Sequence, residues 1–343
     1  MKVFVTGTDG YIGVRLASHL MQRGHQVIGL DTGFYREGWL YNDGIKALPQ
    51  CITKDIRRIE REDLDGADAA VHLAELSNDP LGQLDPEITY RINHQSSFRL
   101  AKLCKSLGIP RFVYTSSCSV YGIGSGEIKT EASEPQPQTA YAKCKTLVER
   151  DVSAIADDNF SPTFLRNATA YGASPRMRFD LVLNNLAGLA WTTKQIRMVS
   201  DGTPWRPLVH VADICEAVAC VLEAPRDVVH REIFNVGDTK ENYQVRDIAA
   251  IVSAAFPGCK VSLGSSDGDN RSYRVSFDKI HEKLPNYVCR NTAESGAREL
   301  YQLFDRIAMA EDLFGFRAYT RLKQLEHLIR TKQLDRELFW NAQ

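Results

Sequence analysis

The chain has 343 residues, 43% of them apolar, with 42 Lys and Arg against 43 Asp and Glu. At roughly 150 residues per domain, one large or two fused domains fit, and a formal charge of −1 excludes a strongly basic field for nucleic acid and a polybasic membrane contact, though not a local basic pocket. No apolar run reaches the roughly 18–20 residues of a membrane span, and the eight scattered cysteines, with no C-x-x-C among them, read as free thiols of a reducing cytosol.

The first half alternates strand and helix signals. Residues 3–5 form a short apolar strand that runs into Gly7, and 14–23 have helical spacing that stops at Gly24. The apolar stretch at the start is too short for a signal peptide and no small-residue cleavage site follows, so a cytoplasmic protein is expected. Further strands are expected at 26–30, ending in Asp31, and at 51–53, 69–73, 112–116 and 163–166, with helices at about 87–107 and 140–156. This alternation implies an α/β fold with a doubly wound parallel sheet.

The second half is more broken. A helix near 176–190 precedes a strand near 196–199, a turn at Asp201-Gly202 and a strand at 205–211. Helices are expected at 213–223, 245–256 and 297–304, a strand at 233–236, and a polar surface loop at 265–271. Beyond 305, Leu322, Leu325, Leu328, Ile329 and Leu334 describe an amphipathic helix, packed on the body or offered to a partner helix.

Gly7, Gly10 and Gly13 follow a strand and open a helix with G-x-x-G-x-x-G spacing. The first glycine permits the tight turn, the second a close approach of backbone to a pyrophosphate, and the third helix-on-strand packing. The helix N-terminus supplies N–H groups and partial positive charge for phosphates. Asp31 lies eighteen residues past Gly13, where a carboxylate holds a ribose 2′-OH and repels a 2′-phosphate; NAD is favoured over NADP. Asp55 stands either at the adenine or in a surface salt bridge.

Tyr141 and Lys145 are spaced i and i+4, on one helix face. A phenol is a poor base at neutral pH unless cations, here an ammonium and an oxidised nicotinamide, draw its proton off. Such a pair arises often by chance, but Ser117 ends a strand 24 residues earlier. Ligands of open parallel sheets collect at strand carboxyl ends, so the hydroxyl, the phenol and the ammonium are expected to converge.

On these residues, with GTDGYIG (7–13), VHLA (71–74), TSSCSVYG (115–122), YAKCK (141–145), LRNATAYG (165–172) and RPLVHVAD (206–213), the chain resembles the extended short-chain dehydrogenases/reductases acting on nucleotide sugars, of UDP-galactose 4-epimerase type. The resemblance spans about 1–300 and implies a Rossmann dinucleotide domain (1–172 with about 208–237), a smaller discontinuous substrate domain (173–207 with 238–305) and a helical tail (306–343). It implies catalytic roles for Tyr141 as base or acid, Lys145 on the nicotinamide ribose and Ser117 on the reacting oxygen. Cofactor contacts are expected from Gly7, Gly10, Tyr11, Ile12, Gly13, Asp31, Asp55, Ile56, Leu73, Ala74 and Lys145. Substrate contacts are expected from Ser119, Thr169, Asn184, Arg206 and Arg271, the two arginines clamping a diphosphate. No metal is expected, and a homodimer through the helices near 87–107 and 140–156 is implied, although their apolar faces serve equally as intramolecular core.

Three departures narrow the reading. Cys118 and Ser119 stand where the family's dehydratases carry an Asp-Glu pair, which argues against loss of water. Thr169 replaces the usual asparagine before Tyr-Gly, shifting a phosphate contact to Thr169 or Asn167. Glu75 replaces a small residue; it touches the sugar or turns to solvent from the loop at 75–86, where Ser77, Asn78 and Asp79 are candidate lid residues. The expected reaction is C4 epimerisation of a nucleotide-diphosphate sugar through a 4-keto intermediate. The alternatives are NAD(P)H-dependent 4-ketoreduction by the same residues and, below both, a non-catalytic dinucleotide-binding scaffold.

Overall fold

The computed structural model describes residues 1–42, 47–77, 85–265 and 271–341. Among these, seven strands form a central sheet: β1 (Lys2–Thr6), β2 (Gln26–Asp31), β3 (Gln50–Thr53), β4 (Ala69–His72), β5 (Arg111–Ser117), β6 (Ser161–Asn167) and β7 (Ile233–Val236). They are ordered β7-β6-β5-β4-β1-β2-β3 and every neighbouring pair is parallel. The winding reverses at β1, whose Val3 pairs with Val27 of β2 on one side and Ala69 of β4 on the other. A crevice outside the strand carboxyl ends at such a reversal is where open α/β sheets bind ligands.

The helices that matter below are α1 (Gly13–Gln22), α2 (Ser96–Ser106), α3 (Ala140–Ala154), α4 (Val182–Thr193), α5 (Val211–Glu223), α6 (Val245–Ala255), α7 (Ala293–Arg306) and α8 (Arg321–Arg330). One sheet face packs Val5 and Val113 against Leu16 and Leu20 of α1 and Ile214 and Val218 of α5. The other packs Phe4 and Phe112 against Leu100 and Cys104 of α2 and Val148 and Val152 of α3. Strands covered on both faces need apolar residues on both, which is why β1 and β4 read as continuous apolar runs rather than alternating ones. The apolar residues of α2 and α3 are thus spent inside their own chain.

A third core joins α4, α6 and α7 through Leu183, Ile248, Val252, Leu300 and Phe304. Beside it, Trp205–His210 pairs parallel with Thr169–Tyr171 and antiparallel with Asn242–Gln244. Ser272–Val275 pairs with Ile123–Lys129, and Gln195–Arg197 with Lys260–Ser262.

Two expected helices differ. The one at 87–107 is interrupted: Pro86–Thr89 leads into a wide π turn at Tyr90–Gln95 before α2 begins. The π turn sets buried Asn93 to accept from Leu76 N at 2.8 Å and donate to Leu76 O at 3.0 Å, so the distortion fixes the chain that follows β4. The helix near 176–190 begins only at Val182. Residues 173–181 are irregular because Arg176 and Arg178 turn inward to ion pairs. The tail folds back onto the sheet, with Leu325, Leu328 and Leu334 in the core beside Leu30 and Ile56; Ile329 is 37% exposed and lies outside it. No helix among the described residues is long and apolar enough to cross a membrane.

Candidate functional site

The strand carboxyl ends, α1, α3 and Trp205–His210 enclose a cavity of about 690 Å³, within the range of small-molecule sites. Its floor is the glycine loop. Gly7 has φ +76° and donates its N–H to Leu30 O at 2.7 Å. A Cβ on Gly13 would stand 1.9 Å from Gly7 O, and one on Gly7 2.9 Å from Ala74 N, so the loop closes on itself and on β4 with no room for side chains. Gly13→Ala must therefore move backbone. It is expected to cost at least about 1–3 kcal/mol of stability and to abolish dinucleotide binding, measured by urea unfolding and by NAD titration.

Asp31 ends β2 on the cavity wall and accepts from Asp9 N at 3.0 Å and Gly33 N at 2.8 Å. Burial pushes its carboxyl up, while these amides oppose that. Asp55 lines the cavity and pairs with Arg57 at 2.6 Å, a largely buried ion pair and not the surface salt bridge considered for it. Ile56, Leu73, Ala74, Tyr11 and Ile12 line the same cavity. Tyr11 turns its hydroxyl away, donating to Gly172 O at 2.7 Å.

At the other end, β5 delivers Ser117 and the first turn of α3 delivers Tyr141, both to the cavity. Thr139 caps α3 by accepting from Ala142 N at 3.2 Å. One turn on, Lys145 places its Nζ 5.3 Å from the centre of the Tyr141 ring and donates to Thr115 O at 2.5 Å.

Glu75 lies in the bend that follows β4, but its side chain turns inward and not to solvent. Its side chain is 1% exposed and forms an ion pair with Lys145 at 2.6 Å, and it accepts from the Tyr114 hydroxyl at 2.5 Å. Burial pushes the Glu75 carboxyl up against the pull of Lys145 and Tyr114. For Lys145, burial works against the ammonium, but Glu75 and Tyr141, with Cys144, outweigh it and the pKa is raised. The lysine expected to draw the proton off Tyr141 is paired instead with Glu75, a carboxylate the sequence reading had placed at the sugar or in solvent.

At the mouth, Arg206 and Arg271 line the cavity together, the Arg206 guanidinium donating to Arg271 O. Thr169 and Ser119 line it as well. Asn184 does not: it is fully buried, accepts from Gly172 N at 3.0 Å and donates to Arg178 O at 3.1 Å. Its neighbour Asn185 faces the cavity instead, because a single helical step turns a side chain by about 100°. Ser77 also lines the cavity; Asn78, Asp79 and loop residues 266–270 lie outside the described residues.

Three arginines escaped the sequence reading. Arg176 pairs with Asp9 of the glycine loop and donates to Arg36 O at 2.7 Å and Gly38 O at 2.9 Å. Arg178 grips Asp180 with two bonds, at 2.9 and 3.1 Å, and the R-x-D spacing was the available signal. Arg321 of the tail also lines the cavity, and no local pattern marked it.

Two buried polar atoms on the wall, Ser119 Oγ and Asn167 Oδ1, have no hydrogen-bond partner among the described residues. Buried polar groups are normally satisfied, so these atoms and the glycine cradle suit a polar, extended ligand such as a dinucleotide with its substrate.

Sheet order, switch point and glycine loop define a dinucleotide-binding α/β protein. The chain belongs to the NAD dependent epimerase/dehydratase family, whose model matches residues 3–237, and it is an NAD-dependent enzyme of that family. It is 27% identical over 288 residues to a UDP-glucose 4-epimerase of Neisseria meningitidis serogroup C, covering 74% of this chain and 82% of that protein. It is 26% identical over 281 residues to an uncharacterized UDP-glucose epimerase, YtcB, of Bacillus subtilis, covering 78% and 85%. In fold it is similar to a Thermus thermophilus UDP-glucose 4-epimerase in complex with NAD (TM-score 0.73, 22% identity, 89% of this chain and 99% of that one). It is likewise similar to MoeE5 in complex with UDP-glucose and NAD (TM-score 0.77, 24% identity, 90% and 100%).

Proposed function

We propose that the protein epimerises a nucleotide-diphosphate sugar at C4 through a transient 4-keto sugar. The observation that carries this is convergence: Ser117, Tyr141, Lys145, Arg206 and Arg271, drawn from separate stretches of chain, line the same cavity as the glycine loop. In this reading residues 1–172 and about 208–237 hold the dinucleotide, and 173–207 with 238–305 hold the sugar nucleotide. A homodimer belongs to the reading, through the outer faces of α2 and α3, since their apolar faces lie in the core.

NAD, when bound, accepts the substrate's electron pair and returns it. The protein's own work is proton transfer and positioning. Tyr141 removes the proton from the sugar O4 hydroxyl and returns it, with Ser117 donating a hydrogen bond to the same oxygen. Arg206 and Arg271 hold the diphosphate while the ketone turns over, so that its opposite face meets the cofactor. Keeping the reacting atoms at near-contact distance is a large part of such catalysis. Removal of one guanidinium, Arg206→Ala or Arg271→Ala, is expected to raise KM about ten- to a hundred-fold, the loss of a charged hydrogen bond of roughly 1.5–3 kcal/mol, with a smaller change in kcat. Steady-state kinetics of each variant check this.

One observation favours 4-ketoreduction instead. Glu75 cancels the ammonium beside Tyr141, and a phenol with less positive charge near it keeps its proton more readily, as an acid should. The deciding experiment offers purified protein a panel of sugar nucleotides with no added cofactor. Conversion to the C4 diastereomer supports epimerisation. Consumption of one NAD(P)H per 4-keto sugar nucleotide, with no diastereomer formed, replaces it with reduction.

A further inference from the structure

The tail beyond the family match holds a side chain whose surroundings call for a ligand. Arg321 opens α8, is 3% exposed and lines the cavity. Its guanidinium lies over the Tyr35 ring, 3.8 Å from the centroid. Among the described residues it makes no hydrogen bond and no ion pair; only its backbone N–H has an acceptor, Asp180 Oδ2 at 3.4 Å. The carboxylates within electrostatic reach are Asp31 and Asp180. Asp31 is engaged by the amides of Asp9 and Gly33, and Asp180 by Arg178. Burial pushes Arg321 down to about 10, the response of a cation stripped of water without full compensation. A guanidinium carries five donors in a fixed fork, and leaving such a group buried and unbonded is costly.

Where Arg321 sits indicates what it meets. Asp31, at the end of β2, and Arg178 both act on its charge. Arg178 in turn reaches Ser77 at 3.3 Å and feels the charge of Tyr141. Arg321 lines the cavity that Asp31 and Tyr141 also line, and a dinucleotide with its adenosine ribose at Asp31 and its nicotinamide at Tyr141 carries its diphosphate between them. The tail is also anchored to hold that position. Gln324 donates to Phe34 O at 3.0 Å, Trp340 donates to Thr32 O at 2.7 Å, and Arg57 donates to Glu337 O at 2.7 Å.

We infer that Arg321 is a cofactor contact, binding the diphosphate of the dinucleotide from the side opposite the glycine loop, so that the tail completes the cofactor site. This rests on the reading that the cavity holds NAD. The test is calorimetric titration of NAD, ADP-ribose, adenosine and NADP into the unaltered chain, Arg321→Met and Arg321→Lys. Arg321→Met is expected to bind NAD and ADP-ribose at least ten-fold more weakly and adenosine within two-fold of the unaltered chain, with Arg321→Lys in between. NAD binding by Arg321→Met within two-fold of the unaltered chain overturns the inference, as does an equal loss for adenosine, which marks a purely structural role. Loss confined to NADP moves the contact to a ribose phosphate and overturns the diphosphate assignment. Should Arg321→Met fail to fold, Arg321→Lys decides: undiminished NAD binding overturns the contact, and a several-fold loss with adenosine unchanged supports it. Failure of the unaltered chain to bind NAD overturns both this inference and the reading beneath it.

Discussion

Tyr141→Phe is expected to lower turnover by at least about 10²–10⁴-fold, the usual contribution of a positioned acid or base, and to leave NAD affinity within a few-fold. The hydroxyl is the only group removed. The ring stays beside the Lys145 ammonium and in the wall of the cavity, and the contacts that close the glycine loop lie elsewhere. Two measurements decide it: kcat on whichever sugar nucleotide the substrate panel identifies, and NAD titration of the same preparation. Turnover within ten-fold of the unaltered enzyme would remove Tyr141 as the proton-transfer group. A matching fall in NAD affinity would recast it as a binding residue.

Lys145→Met should act on stability as well as on chemistry. It strands the Glu75 carboxylate, 1% exposed, with Tyr114 as its remaining partner. Breaking a buried pair from one side costs about 3–5 kcal/mol, whereas exchanging both members for apolar groups is often neutral. The expected pattern in urea unfolding is therefore a large loss for Lys145→Met and recovery of most of it in Glu75→Leu/Lys145→Met, with activity absent from both. If the double variant is no more stable than the single one, the ion pair does not set the stability of this region. Glu75→Gln alone keeps the shape and removes the charge. Its pH–rate profile is the readout of the neutralisation argued for Tyr141, and the limb governed by the base should move to lower pH.

The sheet was legible because its physics is local. Strands buried on both faces need apolar residues on both: β1 and β4 are short apolar runs, and β5 and β6 keep an apolar centre at 112–114 and 164–165. Gly7, Gly10 and Gly13 announce their loop by spacing, and Tyr141 and Lys145 announce a shared helix face by theirs. What stayed hidden depends on partners far along the chain. Asp9 and Arg176 are 167 positions apart, and the neutralising role of Glu75 emerges only once β5 sets Tyr114 beside it and Thr115 O beneath the Lys145 ammonium. Asn184 and Asn185 are indistinguishable until the phase of α4 is known, and that phase follows from an irregular stretch at 173–181 in which the Ser174-Pro175 turn signal does not say where the helix begins. The short pairings at Lys260–Ser262 and Asn242–Gln244 were missed because three residues are too few to show alternation. The tail gave its amphipathic helix away, but not the side of the molecule it covers.

The bond from Trp340 to Thr32 spans 308 positions. At roughly 5–20 residues per second of synthesis, Thr32 is made about 15–60 s before the indole that bonds to it. The patch around Phe34 and Ile56 therefore stays wet throughout translation. Assembly of this pocket is a late event in the life of the nascent polypeptide, and a ribosome stalled even a few codons short of Trp340 leaves a particle with a finished sheet and an unlidded, sticky flank.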